Sequence, residues 1–137
     1  MKKCITVLLL LTVLFAGCGK DTAQQTQAPI EITKEAVYVN ITAQEAKEIM
    51  DSREGYVILD TRTQEEYDER HIPGAILIPH DQIKDQAESL LTDKDQLILV
   101  YCRSGRRSKL ASEDLVALGY TNIMEFGGII DWPYETE

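Results

Sequence analysis

Residues 97–101 form an apolar run that no charged side chain interrupts. Such a short run of mostly branched apolar side chains predicts a strand that is buried on both faces. Strands of this kind occur in parallel sheets, whose two faces are covered by helices. The segment therefore favours an α/β fold, which also requires helices between successive strands.

Strand and helix signals alternate along the chain from residue 37 onward. Thr42 with Glu45, and Thr63 with Glu66, have the spacing of capping boxes, which predict the starts of two helices. Gly119 predicts the end of the last helix, because glycine is common just after a helix. The other predicted strands are residues 37–39, 57–59, 76–78 and 123–126.

Two more helices are predicted from apolar residues at helical spacing. One follows His80, and the other has its apolar face at Leu110, Ala111, Leu115 and Leu118. This alternation, without a visible internal repeat, predicts one α/β domain with a mostly parallel central sheet and helices on both faces. Ligands of such folds bind beyond the carboxyl ends of the strands.

The N-terminus has the features of a bacterial lipoprotein signal peptide. Lys2 and Lys3 precede an apolar stretch, and two small residues come directly before Cys18. The stretch is shorter than the roughly 20 apolar residues of a membrane-spanning helix. Because the pattern resembles a lipobox, we expect cleavage before Cys18, lipid on its sulfur and a location in the cell envelope outside the cytoplasm. An uncleaved anchor would give the same location.

Replacement of Cys18 by serine is expected to leave an unprocessed precursor without lipid. Fatty-acid labelling that persists unchanged in Cys18→Ser would contradict the lipoprotein prediction.

The composition of the chain predicts three segments, and each cysteine has a different predicted role. The predicted parts are a signal peptide at 1–17, a flexible polar tether at 18–36 and the folded domain at 37–137. Cys4 leaves with the signal peptide and Cys18 carries lipid, so Cys102 is the one thiol left in the domain. This excludes an internal disulfide in the mature chain. An unpaired thiol outside the cytoplasm indicates a chemical role.

The acidic balance excludes some classes of partner. The formal net charge is -9, from 23 acidic against 14 basic residues. Nucleic acids and anionic membrane surfaces both bind basic faces, so neither is expected as a main partner. The membrane is then contacted through the lipid anchor alone. Because the chain has 2 histidines, no metal site is expected.

Cys102 lies between the apolar strand and a predicted helix. Backbone N–H groups at such a junction form an anion site, and the positive end of the helix favours thiolate over thiol. Gly105 permits the tight turn that the loop requires. The positive residues of this segment are Arg103, Arg106, Arg107 and Lys109. The segment therefore predicts a site that holds an anion against an activated sulfur.

Three stretches of the chain resemble the rhodanese family. Residues 102–108 resemble the family's active-site loop, which begins at the nucleophilic cysteine. Residues 59–75 resemble its first signature, in which Asp-x-Arg precedes Glu-Tyr and a His-Ile-Pro-Gly-Ala turn. Residues 127–132, with two glycines and a tryptophan, resemble its C-terminal signature. The stretches come in family order and with family spacing.

The resemblance implies a rhodanese-like fold and sulfurtransferase activity. Cys102 would attack the outer sulfur of a small anionic donor such as thiosulfate, hold that sulfur as a persulfide and pass it to cyanide or a thiol. No metal or organic cofactor is required, and a monomer is expected. Asp60 and Arg62 are expected to support the site as an ion pair or loop brace. The implied substrate-binding residues are Arg103, Ser104, Gly105, Arg106, Arg107 and Ser108.

Two other functions compete with this one. A non-catalytic or slow persulfide carrier or sensor at the cell envelope would keep the same loop residues. A cysteine-based phosphatase of the cell-division-cycle kind shares the fold, but its pattern has His before the cysteine and Arg six positions after it. Here Tyr101 precedes the cysteine and Ser108 stands at the arginine position, so this function is disfavoured. His71 is expected to form hydrogen bonds at a turn rather than to act as a base.

Overall fold

A computed structural model describes residues 37–137. The strands are β1 (Val39–Asn40), β2 (Tyr56–Asp60), β3 (Ile76–Leu77), β4 (Leu97–Cys102) and β5 (Ile123–Gly128). The helices are α1 (Ala43–Ser52), α2 (Gln64–Glu69), α3 (Ile83–Leu90) and α4 (Arg106–Ala117), with 3₁₀ turns at His80–Gln82 and Ile129–Asp131. The predictions for the signal peptide, for the tether and for Cys4 and Cys18 lie outside the described residues.

Two helices begin at the predicted capping boxes. The Thr42 hydroxyl accepts a hydrogen bond from the Glu45 N–H at 3.1 Å, and the Glu45 carboxylate accepts one from the Thr42 N–H at 2.7 Å. Thr63 and Glu66 form the same reciprocal pair at the start of α2. Each box satisfies N–H groups that have no partner inside the helix, and so fixes where the helix starts.

The five strands form one parallel sheet in the order β1-β5-β4-β2-β3. All residues of the central strand β4 are buried. Ile98 and Val100 pack with residues of α3 and α4 on one face, whereas Leu99 and Tyr101 pack with residues of α1 on the other. The predicted α/β fold, with helices on both faces of the sheet, is confirmed. Within residues 37–137, no helix combines the length and the apolar composition needed to cross a membrane.

Two local predictions differ from the structure. The strand predicted at 37–39 lies at Val39–Asn40, because β1 is an edge strand that pairs only with Met124 and Glu125 of β5. The apolar face predicted for the last helix is wrong at Leu110, which is 42% exposed. Small side chains of α4, together with Leu115, pack toward the sheet, and this places Leu110 on the solvent side.

The parallel topology brings three strand ends to one edge of the sheet. Asp60 ends β2, Cys102 ends β4, and β5 ends in the pair Gly127 and Gly128. Cys102 lies opposite Gly128, after an irregularity in the register of β4 and β5. The predicted site residues of distant segments therefore meet at this edge.

Candidate active site

Cys102 occupies the junction of β4 and α4, with a side chain that is 1% exposed. Gly105, the residue before α4, has φ 96°, a left-handed conformation in which a side chain would be strained. No side chain caps α4 there. The Gly105 N–H instead donates to Sγ of Cys102 at 3.1 Å. The sulfur therefore lies at the helix start, where N–H groups lack partners within the helix.

The surroundings of the sulfur favour its negative form. Burial raises the pKa of the Cys102 thiol, but hydrogen bonds from the Ser108 hydroxyl and from the N–H groups of Ser108, Ser104 and Gly105 outweigh it. The pKa of Cys102 therefore lies below its usual value. An anion held by several N–H donors is stable in a buried site, and a thiolate is the reactive form of cysteine.

The loop arginines divide into two groups. Arg103 and Arg106 are exposed to solvent, where they can attract an anion. Arg107 instead forms a two-point ion pair with Glu66 of α2, with Nη1–Oε2 at 2.6 Å and Nη2–Oε1 at 2.7 Å. The sequence predicts that all three arginines bind the anionic sulfur donor. In the structure, Arg107 joins the loop to α2 through its ion pair with Glu66. Its partner lies 41 residues earlier in the chain, and local spacing does not reveal it.

We expect Glu66→Gln to lower stability in a way that depends on pH. The hydrogen bond from Arg107 is the main reason that the pKa of Glu66 falls from 4.5 to about 2. Because folding lowers the pKa of Glu66, its ionised carboxylate stabilises the folded protein above pH 4.5. This contribution disappears as the pH falls toward 2 and the carboxylate is protonated. Glutamine can keep the capping box with Thr63 but loses the charge. At pH 7 the free energy of unfolding should fall by about 1–2 kcal/mol, after allowance for solvent screening.

Chemical denaturation at several pH values would measure this effect. The difference between the variant and the unmodified chain should narrow between pH 4.5 and pH 2, the range bounded by the two pKa values of Glu66. Glu69→Gln removes an exposed charge from the same helix and serves as the matched control. Equal losses in the two variants would contradict a specific contribution from the Arg107 pair.

Asp60 and Arg62 form a buried ion pair, called the brace, which contacts the residue before Cys102. The Arg62 guanidinium donates to the Asp60 carboxylate, with Nη2–Oδ2 at 2.5 Å, and also to the carbonyl of Arg70 at 2.7 Å. The Tyr101 hydroxyl donates to Asp60 Oδ2 at 2.6 Å. Burial, then the charge of Asp60, raises the pKa of Tyr101. The brace therefore holds the residue that precedes Cys102.

Glu125 is a site residue that the local sequence pattern does not predict. Its side chain is 2% exposed, and Oε1 accepts hydrogen bonds from the Ser108 hydroxyl at 2.6 Å and the Gly127 N–H at 2.9 Å. Ser108 Oγ lies 3.4 Å from Sγ of Cys102. One signal was present: an acidic residue within an apolar strand, at the sheet edge where Cys102 lies.

Gly128 lies against the back of the Cys102 loop. A Cβ atom at this position would lie 2.1 Å from the carbonyl oxygen of Arg103 and 2.6 Å from Cα of Ser104. The Arg103 carbonyl also accepts a hydrogen bond from the Ile130 N–H at 3.3 Å. The loop and the end of β5 therefore approach more closely than any side chain would allow.

The surroundings of the loop contain no further reactive cluster. His71 stacks on Tyr67 with ring centroids 3.8 Å apart, and its Nδ1 lies 2.9 Å from the Tyr67 carbonyl. Within residues 37–137, no three His, Cys, Asp or Glu side chains converge on a possible metal position. A cavity of about 330 Å³ beside the loop is lined in part by Arg62, Arg103 and Ile130. A larger cavity of about 760 Å³, near Trp132, has no lining residue in the loop.

The sequence of this chain is similar to one known family and to several known proteins. The model of the family described as Rhodanese-like domain matches residues 42–133, which include the Cys102 loop. The thiosulfate sulfurtransferase PspE of Escherichia coli is 38% identical over 73 residues, which cover 53% of this chain and 70% of that protein. YrkF of Bacillus subtilis is 35% identical over 120 residues, which cover 87% of this chain and 59% of that protein.

The solved structures agree with the sequence comparison. One described as rhodanese with anions from E. coli superposes with a TM-score of 0.57 and 34% identity, covering 60% of this chain and 96% of that chain. Another, the Alr3790 protein from Anabaena, superposes with a TM-score of 0.66 and 28% identity over 71% of this chain. The fold is therefore shared with known proteins.

Proposed function

Because this chain belongs to the family of rhodanese-like domains, we propose that it transfers sulfane sulfur through a persulfide on Cys102. The observation that carries the proposal is the position of Sγ of Cys102 at the start of α4, where the Gly105 N–H donates to it at 3.1 Å. Relatives named as thiosulfate sulfurtransferases support thiosulfate as a donor. The acceptor is proposed to be cyanide or a thiol.

The proposed reaction needs only the thiolate and an anion site. Sγ of Cys102 attacks the outer sulfur of thiosulfate and forms a new S–S bond. The bond between the two sulfur atoms of thiosulfate breaks, and its electron pair leaves with sulfite. Cyanide or a thiolate then attacks the outer sulfur of the persulfide, and the Cys102 thiolate is released. N–H groups and the exposed charges of Arg103 and Arg106 stabilise the anions of both steps.

The surroundings of Ser108 argue against a phosphatase. Cysteine phosphatases need a guanidinium at this loop position to bind the phosphate dianion. Here a buried hydroxyl stands there, and the Glu125 carboxylate lies 2.6 Å behind it. The loop therefore lacks the positive charge that phosphatase chemistry requires at this position.

Mass spectrometry after treatment with thiosulfate tests the proposal. We expect the peptide that contains Cys102 to gain the mass of one sulfur atom, and cyanide to remove that mass with formation of thiocyanate. The assignment is made on the peptide, because Cys4 and Cys18 are also thiols of the full chain. Repeated turnover identifies an enzyme, whereas sulfur uptake with slow release identifies a carrier. Hydrolysis of an aryl phosphate that depends on Cys102 would overturn the proposal.

A further inference from the structure

Cys102, Ser108 and Glu125 form a row of buried side chains, with exposed fractions of 1%, 0% and 2%. Ser108 lies in the middle, with Oγ 3.4 Å from the sulfur and 2.6 Å from Oε1 of Glu125. Oγ also lies 3.0 Å from the carbonyl oxygen of Gly105 and 3.4 Å from that of Gly127. A hydroxyl placed between a thiol and a carboxylate connects an acid to a base.

Ser108 has one hydroxyl proton, so it donates to one neighbour at a time. The contact with Glu125 has the length of a bond from a hydroxyl to a carboxylate, which is stronger than a bond between neutral groups. While Cys102 is a thiol, the hydroxyl therefore donates to Glu125. The oxygen lone pairs of Ser108 then accept the S–H of Cys102, and the three groups form a chain of donors and acceptors.

We propose that Glu125 takes the thiol proton of Cys102 through Ser108 and so prepares the sulfur for attack. The S–H bond breaks as its proton bonds to Ser108 Oγ. The original Ser108 proton moves to Glu125 Oε1. The products are a Cys102 thiolate that accepts from the Ser108 hydroxyl, and a neutral Glu125 carboxylic acid. The negative charge has moved from carboxylate to sulfur, and no other reactant is consumed.

The donors around each end favour this transfer. On Glu125 the charge receives hydrogen bonds from Ser108 and the Gly127 N–H among the described residues. On the sulfur it receives the Gly105 N–H at 3.1 Å and the Ser108 hydroxyl at the start of α4, where the N–H groups of Ser104 and Ser108 also lower the pKa of Cys102. A charge in a buried site is most stable where it has the most donors. Glu125 acts through Ser108, so it is a positioning residue rather than a catalytic one.

Few other charged or titratable groups face this row. From α4, the pKa of Arg107 is raised first by its hydrogen bond to Glu66 of α2, and also by the charge of Cys102. Beside β1, the pKa of the Tyr38 phenol is raised by burial and then by the charges of Glu113 and Glu125. Arg107 thus supports charge on the sulfur, whereas none of these groups replaces Glu125 as a proton acceptor.

Infrared difference spectroscopy at neutral pH tests the transfer directly. A protonated carboxyl group has a C=O stretching band that a carboxylate lacks. We expect this band in the unmodified full-length chain and its loss in both Glu125→Gln and Cys102→Ser, since removal of the thiol returns Glu125 to its ionised form. Glu88→Gln, which removes an exposed charge on α3, should keep the band. A band that is absent from the unmodified chain, or that persists in Cys102→Ser, would overturn the proposal.

A second variant covers poor folding of Glu125→Gln. Glu125→Asp keeps the charge but shortens the side chain, so the carboxylate no longer reaches Ser108. We expect loss of the band and at least about tenfold slower alkylation of the Cys102 peptide by iodoacetamide at pH 6, with a smaller difference at pH 9. Unchanged alkylation at both pH values, together with a retained band, would contradict the role of Glu125.

This inference rests on the proposed role of Cys102 as nucleophile, but the two can fail separately. Sulfur uptake on the Cys102 peptide without the infrared band would leave the proposed function standing and remove the proton transfer. The infrared band without sulfur uptake would leave the proton transfer standing and remove the proposed sulfur-transfer function. A double variant, Ser108→Ala with Glu125→Gln, should alkylate no more slowly at pH 6 than Ser108→Ala, because Glu125 acts only through Ser108.

Discussion

Replacement of Cys102 by serine is expected to abolish sulfur transfer and leave the fold in place. A serine hydroxyl stays protonated near neutral pH and does not form a stable persulfide, so neither half of the proposed reaction can occur. The rate with thiosulfate and cyanide should fall by at least about 1000-fold. The mass gain on the peptide around position 102 should disappear.

The environment of Cys102 explains why the fold should tolerate this change. Serine is nearly the same size, and its hydroxyl can accept from the Gly105 N–H that now donates to the sulfur. The free energy of unfolding should therefore change by about 1 kcal/mol or less. Prior alkylation of the unmodified chain by iodoacetamide is the matched control, and it should cause the same loss of activity. Sulfur uptake by the serine variant at the original rate would exclude Cys102 as the sulfur carrier.

Local signals account for most of what the sequence predicted of the fold. The boxes at Thr42 and Thr63 each involve residues three positions apart, and the structure shows both helix starts where these boxes lie. The edge strand β1 was misplaced because one neighbouring strand, and not an apolar pattern, determines its bounds. The predicted burial of Leu110 is wrong because α4 packs against the sheet largely through small side chains. The spacing of large apolar residues does not reveal such a face.

The candidate site shows the same division between local and distant information. The cysteine, the glycine at position 105 and the following helix are adjacent in sequence, so their spacing predicted an anion site at the strand end. The partners that tune the site come from elsewhere: Glu66 lies 41 residues from Arg107, and Glu125 lies 17 residues from Ser108. Sequence position alone does not indicate which of 23 acidic side chains approach the loop.

These distant partners determine which charges remain available to a substrate. Arg107 is neutralised by Glu66, while Arg103 and Arg106 face solvent. Because the chain as a whole is acidic, the local attraction for a donor anion depends on the exposed arginines and the N–H groups of the loop. The shape of that loop therefore matters as much as its charge, and the end of β5 supports the shape.

Gly128→Ala is the substitution from which we expect the largest structural effect. Gly128 has φ -129°, which any residue can adopt, so backbone strain does not require glycine here. The contact does: the new Cβ would lie 2.1 Å from the carbonyl oxygen of Arg103 and 2.5 Å from its carbonyl carbon. These are backbone atoms, which cannot rotate away, so the loop that holds Cys102 must move.

The expected result is a loss of both stability and activity. Overpacking of this severity should lower the free energy of unfolding by about 2–4 kcal/mol. A loop shift of roughly 1 Å would withdraw N–H donors from the sulfur and reduce kcat/KM by about 100-fold. Thermal unfolding measures the first effect, and the thiosulfate–cyanide assay measures the second. Alkylation of Cys102 near pH 6 should also slow, because fewer donors stabilise the thiolate.

Gly55→Ala separates this close contact from the general effect of replacing a glycine. Gly55 has φ 79°, and an added Cβ would meet nothing within 4 Å. Its replacement should therefore cost about 1 kcal/mol of backbone strain and leave sulfur transfer unchanged. If the Gly128 variant behaves like the Gly55 variant, the loop can yield to a methyl group, and the approach of β5 is not what holds Cys102 in its reactive position. If only the Gly128 variant loses activity, the shape of the Cys102 loop depends on that approach, because the two substitutions add the same group.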